Sequence, residues 1–302
     1  MVPGGAEAPG QAMRAVVLML AGVALLSLND ALVKTLASRY PLGELMFVRG
    51  LFVAPWILLL ARRHGGLAAL RVRDLRGQAL RGLTVIGASF LFVAGLRELP
   101  LADAVAVTFT GPLFITALAP VVLGERVGWR RWLAVLGGFA GVLVMVRPGN
   151  ALAGGTVQWA VLLPLSAALC GAARDLITRR ISRTESSVAV LFFTSTAVML
   201  AGLCTAPLGW SALHAADLWV FAASGTLVAG AYYTQIEAYR LGEAVLVAPF
   251  KYTSMVWAVL FGYLIFGHLP DGWTLLGAGV VVMAGLYILH RETRRVRTRT
   301  GD

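Results

Sequence analysis

Ten long apolar runs follow one another along this chain, with only short polar breaks between them. A hydrocarbon core about 30 Å thick takes about 20 helical residues per crossing, and each run is long enough to make one. The runs fall at 15–34, 42–60, 80–97, 103–123, 131–147, 157–175, 186–206, 217–237, 243–266 and 272–290. They leave no room for a soluble domain, so the expected fold is an all-α integral membrane protein with ten transmembrane helices. Composition agrees, since charged residues make up 14% of the chain, against about 25% in a soluble domain. Tails at 1–14 and 291–302 flank the spans. The first run lacks the small-residue cleavage site that follows the short apolar core of a signal peptide, and it reads as a retained span.

A formal net charge of +11 would suit a nucleic-acid binder, but such binding needs a basic face or groove on a folded soluble surface. Placement matters more than the sum. With the N-terminus inside, most Lys and Arg fall in cytoplasmic segments, including Arg62, Arg63, Arg81, Arg174, Arg179 and the tail from Arg291 to Arg299. Lys34, Arg39, Arg97 and Arg147 fall on the other face, while Arg49 and Lys251 lie within spans. The positive-inside rule then expects a multi-pass protein of the inner (cytoplasmic) membrane with both termini cytoplasmic. The clusters at 62–81 and 291–300 are orientation signals with some attraction to anionic lipid. Cys170 and Cys204 sit inside apolar spans, where a thiol behaves as a small hydrophobe, so neither a disulfide nor a metal site is expected.

The chain also repeats itself. AGLREL, ADAVAV, TFTGPLF, VLGERVGW and GFAGVLVMV in the first half are answered by EAYRLG, GEAVLV, APFKYTSMVW, IFGHLPDGW and VMAGLYIL in the second. This register pairs Arg97 with Arg240, Asp103 with Glu243, Gly124 with Gly267, Trp129 with Trp273 and Gly141 with Gly285. The opening motif recurs as well: NDALVK at 29–34 lies over RDLITR at 174–179, matching Asp30 with Asp175, Lys34 with Arg179 and Asn29 with Arg174. The repeats are expected at 15–147 and 157–290. Five spans per repeat is odd, so the second repeat enters the membrane upside down relative to the first. Two such bundles, related by a pseudo-two-fold axis in the membrane plane, can open a central site to each face in turn.

The halves, with ADAVAV and GEAVLVAPF, Gly124–Glu125–Arg126 ahead of Trp129 and a glycine-rich closing helix, resemble the EamA-type branch of the drug/metabolite transporter superfamily. The likeness runs from about residue 15 to residue 290. It implies a ten-helix bundle of two inverted five-helix repeats, working as a secondary carrier of a small polar or zwitterionic metabolite such as an amino acid or its derivative, a nucleoside or a vitamin. The second repeat carries Gly267–His268–Leu269 where the first has Gly124–Glu125–Arg126.

Ionisable groups within a span cost about 2.5–3.5 kcal/mol each on insertion scales, so they turn to a partner, a bundle interior or water. Asp30 and Lys34 share a helix face four residues apart and are expected to pair there, with Asp175 and Arg179 as their counterparts; the four are candidates for gates or ion pairs at the two entrances. Arg49 in FVRGLF cannot lose its proton; Glu44 is not quite on its face, and Asp30 on the neighbouring helix or a carboxylate-bearing solute are alternatives. Lys251 is expected about eight residues into the ninth span, roughly 12 Å from its inner end at 1.5 Å per residue. Pro249 beside it and Gly111–Pro112 in the fourth span interrupt their helices, the pattern that marks a central site in inverted-repeat carriers. Around that level stand Tyr232, Tyr233, Gln235 and Glu237 on the eighth span, with Tyr252 and Trp257 on the ninth. Rings for stacking and amide, carboxyl or hydroxyl groups for hydrogen bonds make the mix of a ligand pocket. Glu125 and Arg126 read as an interfacial structural element.

Two other classes compete with a carrier. An intramembrane enzyme needs a catalytic motif, and neither a His-Glu-x-x-His pair nor paired Asp-rich motifs occur. A membrane scaffold or receptor would be expected to carry a soluble domain or long loop. The expected partners are therefore a small solute, the lipid bilayer and, if transport is coupled, a proton taken up by Asp30, Glu44 or Glu237. No cofactor or nucleic acid is expected, and a monomer or homodimer would suffice.

Overall fold

The computed structural model describes residues 9–63, 66–123, 127–146, 159–181, 187–241 and 247–300. Helices α1 Pro9–Ala37, α2 Leu42–Arg63, α3 Leu75–Glu98, α4 Leu101–Thr108, α5 Gly111–Leu123 and α6 Trp129–Val146 make the first half. The second half consists of α7 Leu162–Ile181, α8 Ser187–Leu203, α9 Ala215–Leu241, α10 Ser254–Phe266 and α11 Gly272–Thr300. Helices α4 and α5 are two parts of one crossing, and α10 is preceded by a 3₁₀ turn at Ala248–Thr253. Ten crossings result, each long and apolar enough to span a bilayer. An even number returns both termini to one face.

Several boundaries differ from expectation: the first helix already starts at Pro9 and the last runs on to Thr300, through the expected tails, and two further differences have a local cause. The third crossing starts at Leu75 rather than residue 80, because the Asp74 carboxylate accepts a hydrogen bond from the Gly77 amide at 2.9 Å and caps the helix early; a side-chain acceptor there satisfies one of the orphan donors of the first turn. Arg81 is thereby drawn into the bundle, where it is 9% exposed. The ninth crossing is not one continuous α-helix. Pro249 lies in its 3₁₀ turn, where a residue lacking an N–H costs little, and regular α-helix starts only at Ser254. It ends at Gly267, whose φ of 69° is the left-handed conformation that glycine adopts without penalty.

Packing follows the pseudo-two-fold axis. Exchanging the repeats turns the α1–α9 pair into α7–α3, and both pairs are in intimate contact. Single residues obey the same exchange. A methyl group on Gly87 of α3 would lie 3.2 Å from the Cys170 Sγ of α7, and one on Gly230 of α9 would lie 3.5 Å from the Leu25 Cδ1 of α1. The α2–α8 and α6–α11 pairs sit on the axis and pack as self-related couples. Helices α6 and α11 cross at glycines, since a Cβ on Gly141 would stand 2.8 Å from the Gly277 carbonyl oxygen. Small residues let backbones approach in lipid, where dispersion rather than water exclusion drives association. The lipid side of this couple is apolar, with Leu133, Leu136, Leu143, Leu276 and Met283 all exposed.

On the face away from the termini, the α1–α2 and α8–α9 connections are fastened together. Asp217 accepts from the Arg39 Nη1 and from the Tyr40 hydroxyl, both at 2.8 Å. The His214 amide donates to the Tyr40 oxygen at 3.1 Å, and the Ser211 amide donates to buried Glu44 at 2.9 Å. Phe47 meets Trp210 with ring centroids 5.3 Å apart. Glu44 is thus committed to this fastening rather than to Arg49.

Candidate functional site

Polar side chains gather between the two repeats at the middle of the bundle. Asp30 on α1 and Arg49 on α2 each lie seven residues from the α1–α2 connection, about 10 Å into the bundle at 1.5 Å per residue. Asp30 accepts from the Asn29 amide at 3.1 Å and lies in the field of Arg49. Asn29, 2% exposed, accepts in turn from the Ser224 hydroxyl of α9 at 2.6 Å. Arg49 touches the Met46 sulfur at 3.7 Å and bonds no carboxylate among the described residues.

Nearer the face that carries the termini stands a second group. The Arg174 Nε donates to Asp175 at 2.8 Å. Arg81 donates through Nε to the Thr178 hydroxyl at 2.7 Å and through Nη1 to the Thr194 hydroxyl, and it lies in the fields of Arg174 and Asp175. Tyr232 on α9 stands within electrostatic reach of Arg49, Arg81 and Arg174 together. Tyr232 thus lies within the electrostatic fields of both groups, which together hold three guanidiniums and two carboxylates.

The interrupted crossings meet close by. Phe109, at the break between α4 and α5, lies edge-on to Tyr252 in the 3₁₀ turn, with centroids 5.2 Å apart. Tyr252 also fills the space above Gly285, where an added Cβ would run into its hydroxyl oxygen. Two helix interruptions in contact on the axis form a joint about which the repeats can rock.

Several expectations change on this geometry. Asp30 and Lys34 do not pair. Lys34 instead donates to the carbonyls of Leu96 and Leu99, the latter at 2.5 Å, and lies 5.5 Å from the Phe266 ring centroid. The end of α3 leaves carbonyls that an ammonium can satisfy, whereas Asp30 has Asn29 beside it and Arg49 in reach. Replacing Lys34 with methionine should lower thermal stability in detergent by about 1.5–3 kcal/mol, the usual size of charge-assisted hydrogen bonds; an unchanged melting profile would refute that anchor. Asp175 likewise takes its neighbour Arg174 as partner; the Arg179 side chain lies outside the described residues, as do Glu243, Arg147 and Gly124–Glu125–Arg126.

The aromatic candidates divide. Tyr232 and Tyr233 are each 43% exposed. Trp257 stacks on Phe261 at 5.9 Å and packs on the apolar group of Ala15, Met19, Val23, Ala238 and Val247, so it serves packing. Gln235 lies against Gly22 of α1 and keeps a buried Nε2 without a hydrogen-bond partner. Glu237 is half-buried on the same helix. Lys251 is exposed in the 3₁₀ turn, not deep in a continuous helix.

Arg81, Arg174 and Asn29–Ser224 were not singled out as site residues by the sequence. Arg81 and Arg174 looked like positive-inside signals because Arg81 closes one basic segment and Arg174 opens another. The repeat register held the missing clue: Asn29 falls on Arg174, and the alignment of Arg97 with Arg240 carries Arg81 onto Ser224.

Comparison with known proteins agrees with this architecture. The family model of the EamA-like transporter family matches twice, at residues 13–147 and 158–290. A riboflavin transporter of Rhizobium johnstonii is 34% identical over 287 residues, covering 93% of this chain and 92% of its own. An S-adenosylmethionine uptake transporter of Rickettsia prowazekii is 28% identical over 276 residues, covering 90% and 91%. A solved crystal structure superposes with a TM-score of 0.64 over 93% of this chain and 98% of the other, at 20% identity, and so shares the fold.

Proposed function

Because this chain belongs to the EamA-like transporter family and is a secondary transporter of small metabolites rather than an enzyme, we propose that its solute binds around Tyr232, between the Asp30–Arg49 and Arg81–Arg174–Asp175 groups. The single observation that carries this reading is the reach of Tyr232 to arginines from three different helices. Convergent polar groups from both repeats are what a carrier needs, since a site made by one repeat alone would not change when the repeats rock. Arg49, Tyr233, Gln235 and Glu237 complete the lining, Lys251 and Tyr252 belong to the joint behind it, and Asp30 and Asp175 flank the two approaches.

The names of the relatives support a reading of the solute class. Riboflavin and S-adenosylmethionine are both flat, polar ring systems with a flexible arm, and an aromatic phenol amid guanidiniums suits stacking on such rings. Of Asp30, Glu44 and Glu237, Asp30 is our candidate to couple a proton, since one Glu44 oxygen is engaged at the fastened face and Asp30 lies beside Arg49. Residence in the cytoplasmic membrane with both termini inside accords with the basic segments at 62–81 and 291–300.

The test is flux into liposomes that hold the purified chain, using riboflavin and S-adenosylmethionine with and without a pH gradient. One of the two should move. Tyr232→Ala should lower that flux about tenfold or more, while Tyr233→Ala, one position round the helix, should lower it less. Full flux in Tyr232→Ala would displace the site from this position. Asp30→Asn should remove any dependence on the pH gradient while leaving counterflow of labelled solute intact.

A further inference from the structure

The two-fold relation between the repeats is obeyed in the backbone and broken in charge at one place. Asn29 on α1 holds Ser224 on α9 by a neutral hydrogen bond of 2.6 Å. The exchanged positions are Arg174 on α7 and Arg81 on α3, so two guanidiniums stand where the first half has an amide and a hydroxyl. The exchange continues on the second helix of each repeat. Arg49 is the eighth residue of α2 and Thr194 the eighth of α8. One half-site is thus Asp30 with Arg49, neutral in sum. Its mate is Asp175 with Arg174 and Arg81, which holds one positive charge in excess.

Arg81 sits inside the bundle, while the Arg174–Asp175 pair beside it is part-exposed. Arg81 is 9% exposed and is held by the hydroxyls of Thr178 and Thr194. It bonds no carboxylate among the described residues, and the one carboxylate nearby is taken by the Arg174 Nε. Like charges repel, and removing an uncompensated charge such as that of Arg81 from water is costly. A guanidinium presents five donors in a fixed fork and matches oxyanions bidentately. Held by two hydroxyls, Arg81 keeps donors for such a group.

Resting on the reading that the solute binds around Tyr232, we propose that Arg81 and Arg174 form an oxyanion anchor, so that this carrier takes solutes bearing a carboxylate or phosphate and holds that group at the half-site nearer the termini. The ring system would lie against Tyr232 and the neutral half-site of Asp30, Arg49 and Asn29. An anchor in one repeat only also sets how the solute lies along the path, since its charged end has a single strong partner.

The test uses the full chain in liposomes and in detergent with three probes: riboflavin, which has no anionic group; riboflavin 5′-phosphate, the same ring with a phosphate; and S-adenosylmethionine, which carries a carboxylate. Binding is read from flavin fluorescence and thermal stabilisation, and transport from flux. At least one of the two oxyanion probes should bind about tenfold or more tightly than riboflavin, and which one does so separates phosphate from carboxylate. Arg174→Gln should weaken that probe about ten- to hundredfold and riboflavin far less, while Arg81→Lys, which keeps the charge, should weaken the oxyanion probe less. Asp175→Asn enlarges the positive excess and should tighten the oxyanion probe, a gain that a misfolded variant cannot produce. If the protein moves riboflavin as well as or better than both oxyanion probes, and Arg174→Gln and Asp175→Asn leave all three alike, the anchor is refuted while the Tyr232 site stands. If Tyr232→Ala changes nothing but Arg174→Gln still weakens an oxyanion, the anchor survives and the Tyr232 reading fails. Absence of binding by both oxyanion probes overturns the anchor whatever the flux.

Discussion

Valine at Gly277 should leave little well-folded protein. A Cβ at that position would come within 2.5 Å of the Gly141 carbonyl oxygen and 2.7 Å of the Met145 Cγ, both on α6. Backbone cannot step aside as a flexible side chain can, so α6 and α11 must separate along their whole crossing. Overpacking of this kind costs about 1–3 kcal/mol and at times more, and in lipid no gain in water exclusion offsets the lost dispersion contacts. The expected result is a large loss of monodisperse protein after detergent extraction, read by size-exclusion chromatography. Valine at Gly279, which has open space beyond its Cα, is the matched control and should be tolerated. Equal recovery of the two variants would mean that the crossing is looser than its glycines indicate.

Alanine at Asp217 should have the next largest effect, and on a different quantity. Its carboxylate takes hydrogen bonds from Arg39 and Tyr40, both 2.8 Å long, and is itself 6% exposed. Of the two partners, Tyr40 matters more, because Arg39 is largely exposed and exposed ion pairs contribute about 0–1 kcal/mol. A charge-assisted hydrogen bond to a buried acceptor contributes about 1.5–3 kcal/mol. Losing it should release the α8–α9 connection and open the face away from the termini. A cysteine placed at Val220, buried beneath the connection, reports this once Cys170 and Cys204 are replaced: its reaction with a membrane-impermeant maleimide should rise about tenfold or more in Asp217→Ala. Tyr40→Phe should give a smaller rise. No change in labelling would show that the connection is not a gate.

The same bond has a pH signature. Burial pushes the Tyr40 hydroxyl above its ordinary value of 10.0, the His214 amide opposes this, and the Asp217 carboxylate reinforces it. A group with a raised pKa in the folded state stabilises in full below its ordinary value and loses that contribution only as pH climbs through the raised one. The fastening should hold through neutral pH and yield only in strong alkali.

The ten crossings and the inverted repeat were legible because each rests on patterns longer than any single contact. Twenty apolar residues in a row have one reading, and Arg97–Arg240 or Trp129–Trp273 keep their register across the chain. Side-chain partners were less legible, since they depend on which helix lies opposite. The four-residue spacing of Asp30 and Lys34 suggested a pair, yet the open carbonyls at Leu96 and Leu99 compete for the lysine, and nothing in NDALVK signals them. Arg81 was hidden by its neighbours: at the end of a basic run and the very edge of the third apolar run it looked like a topology signal, and the cap at Asp74 moves it deeper into the helix.

The fastening at Asp217 also bears on kinetics. In the register that pairs Arg97 with Arg240, Asp217 falls on Asp74, and in the register that pairs Asp30 with Asp175, Thr184–Glu185 stand where the first repeat has Arg39–Tyr40. Neither the arginine nor the phenol recurs in that register, so the two facings of the carrier need not be equal in free energy. Every 1.4 kcal/mol of that difference changes their ratio about tenfold. Such a bias gives unequal half-saturation and maximal rates for influx and efflux, so the two directions look like different enzymes in initial-rate assays. Microscopic reversibility nonetheless binds them: with no second gradient engaged, the product of those asymmetries must cancel, and the solute stops at equal concentration on both sides. Only a coupled ion can turn a lopsided carrier into a pump.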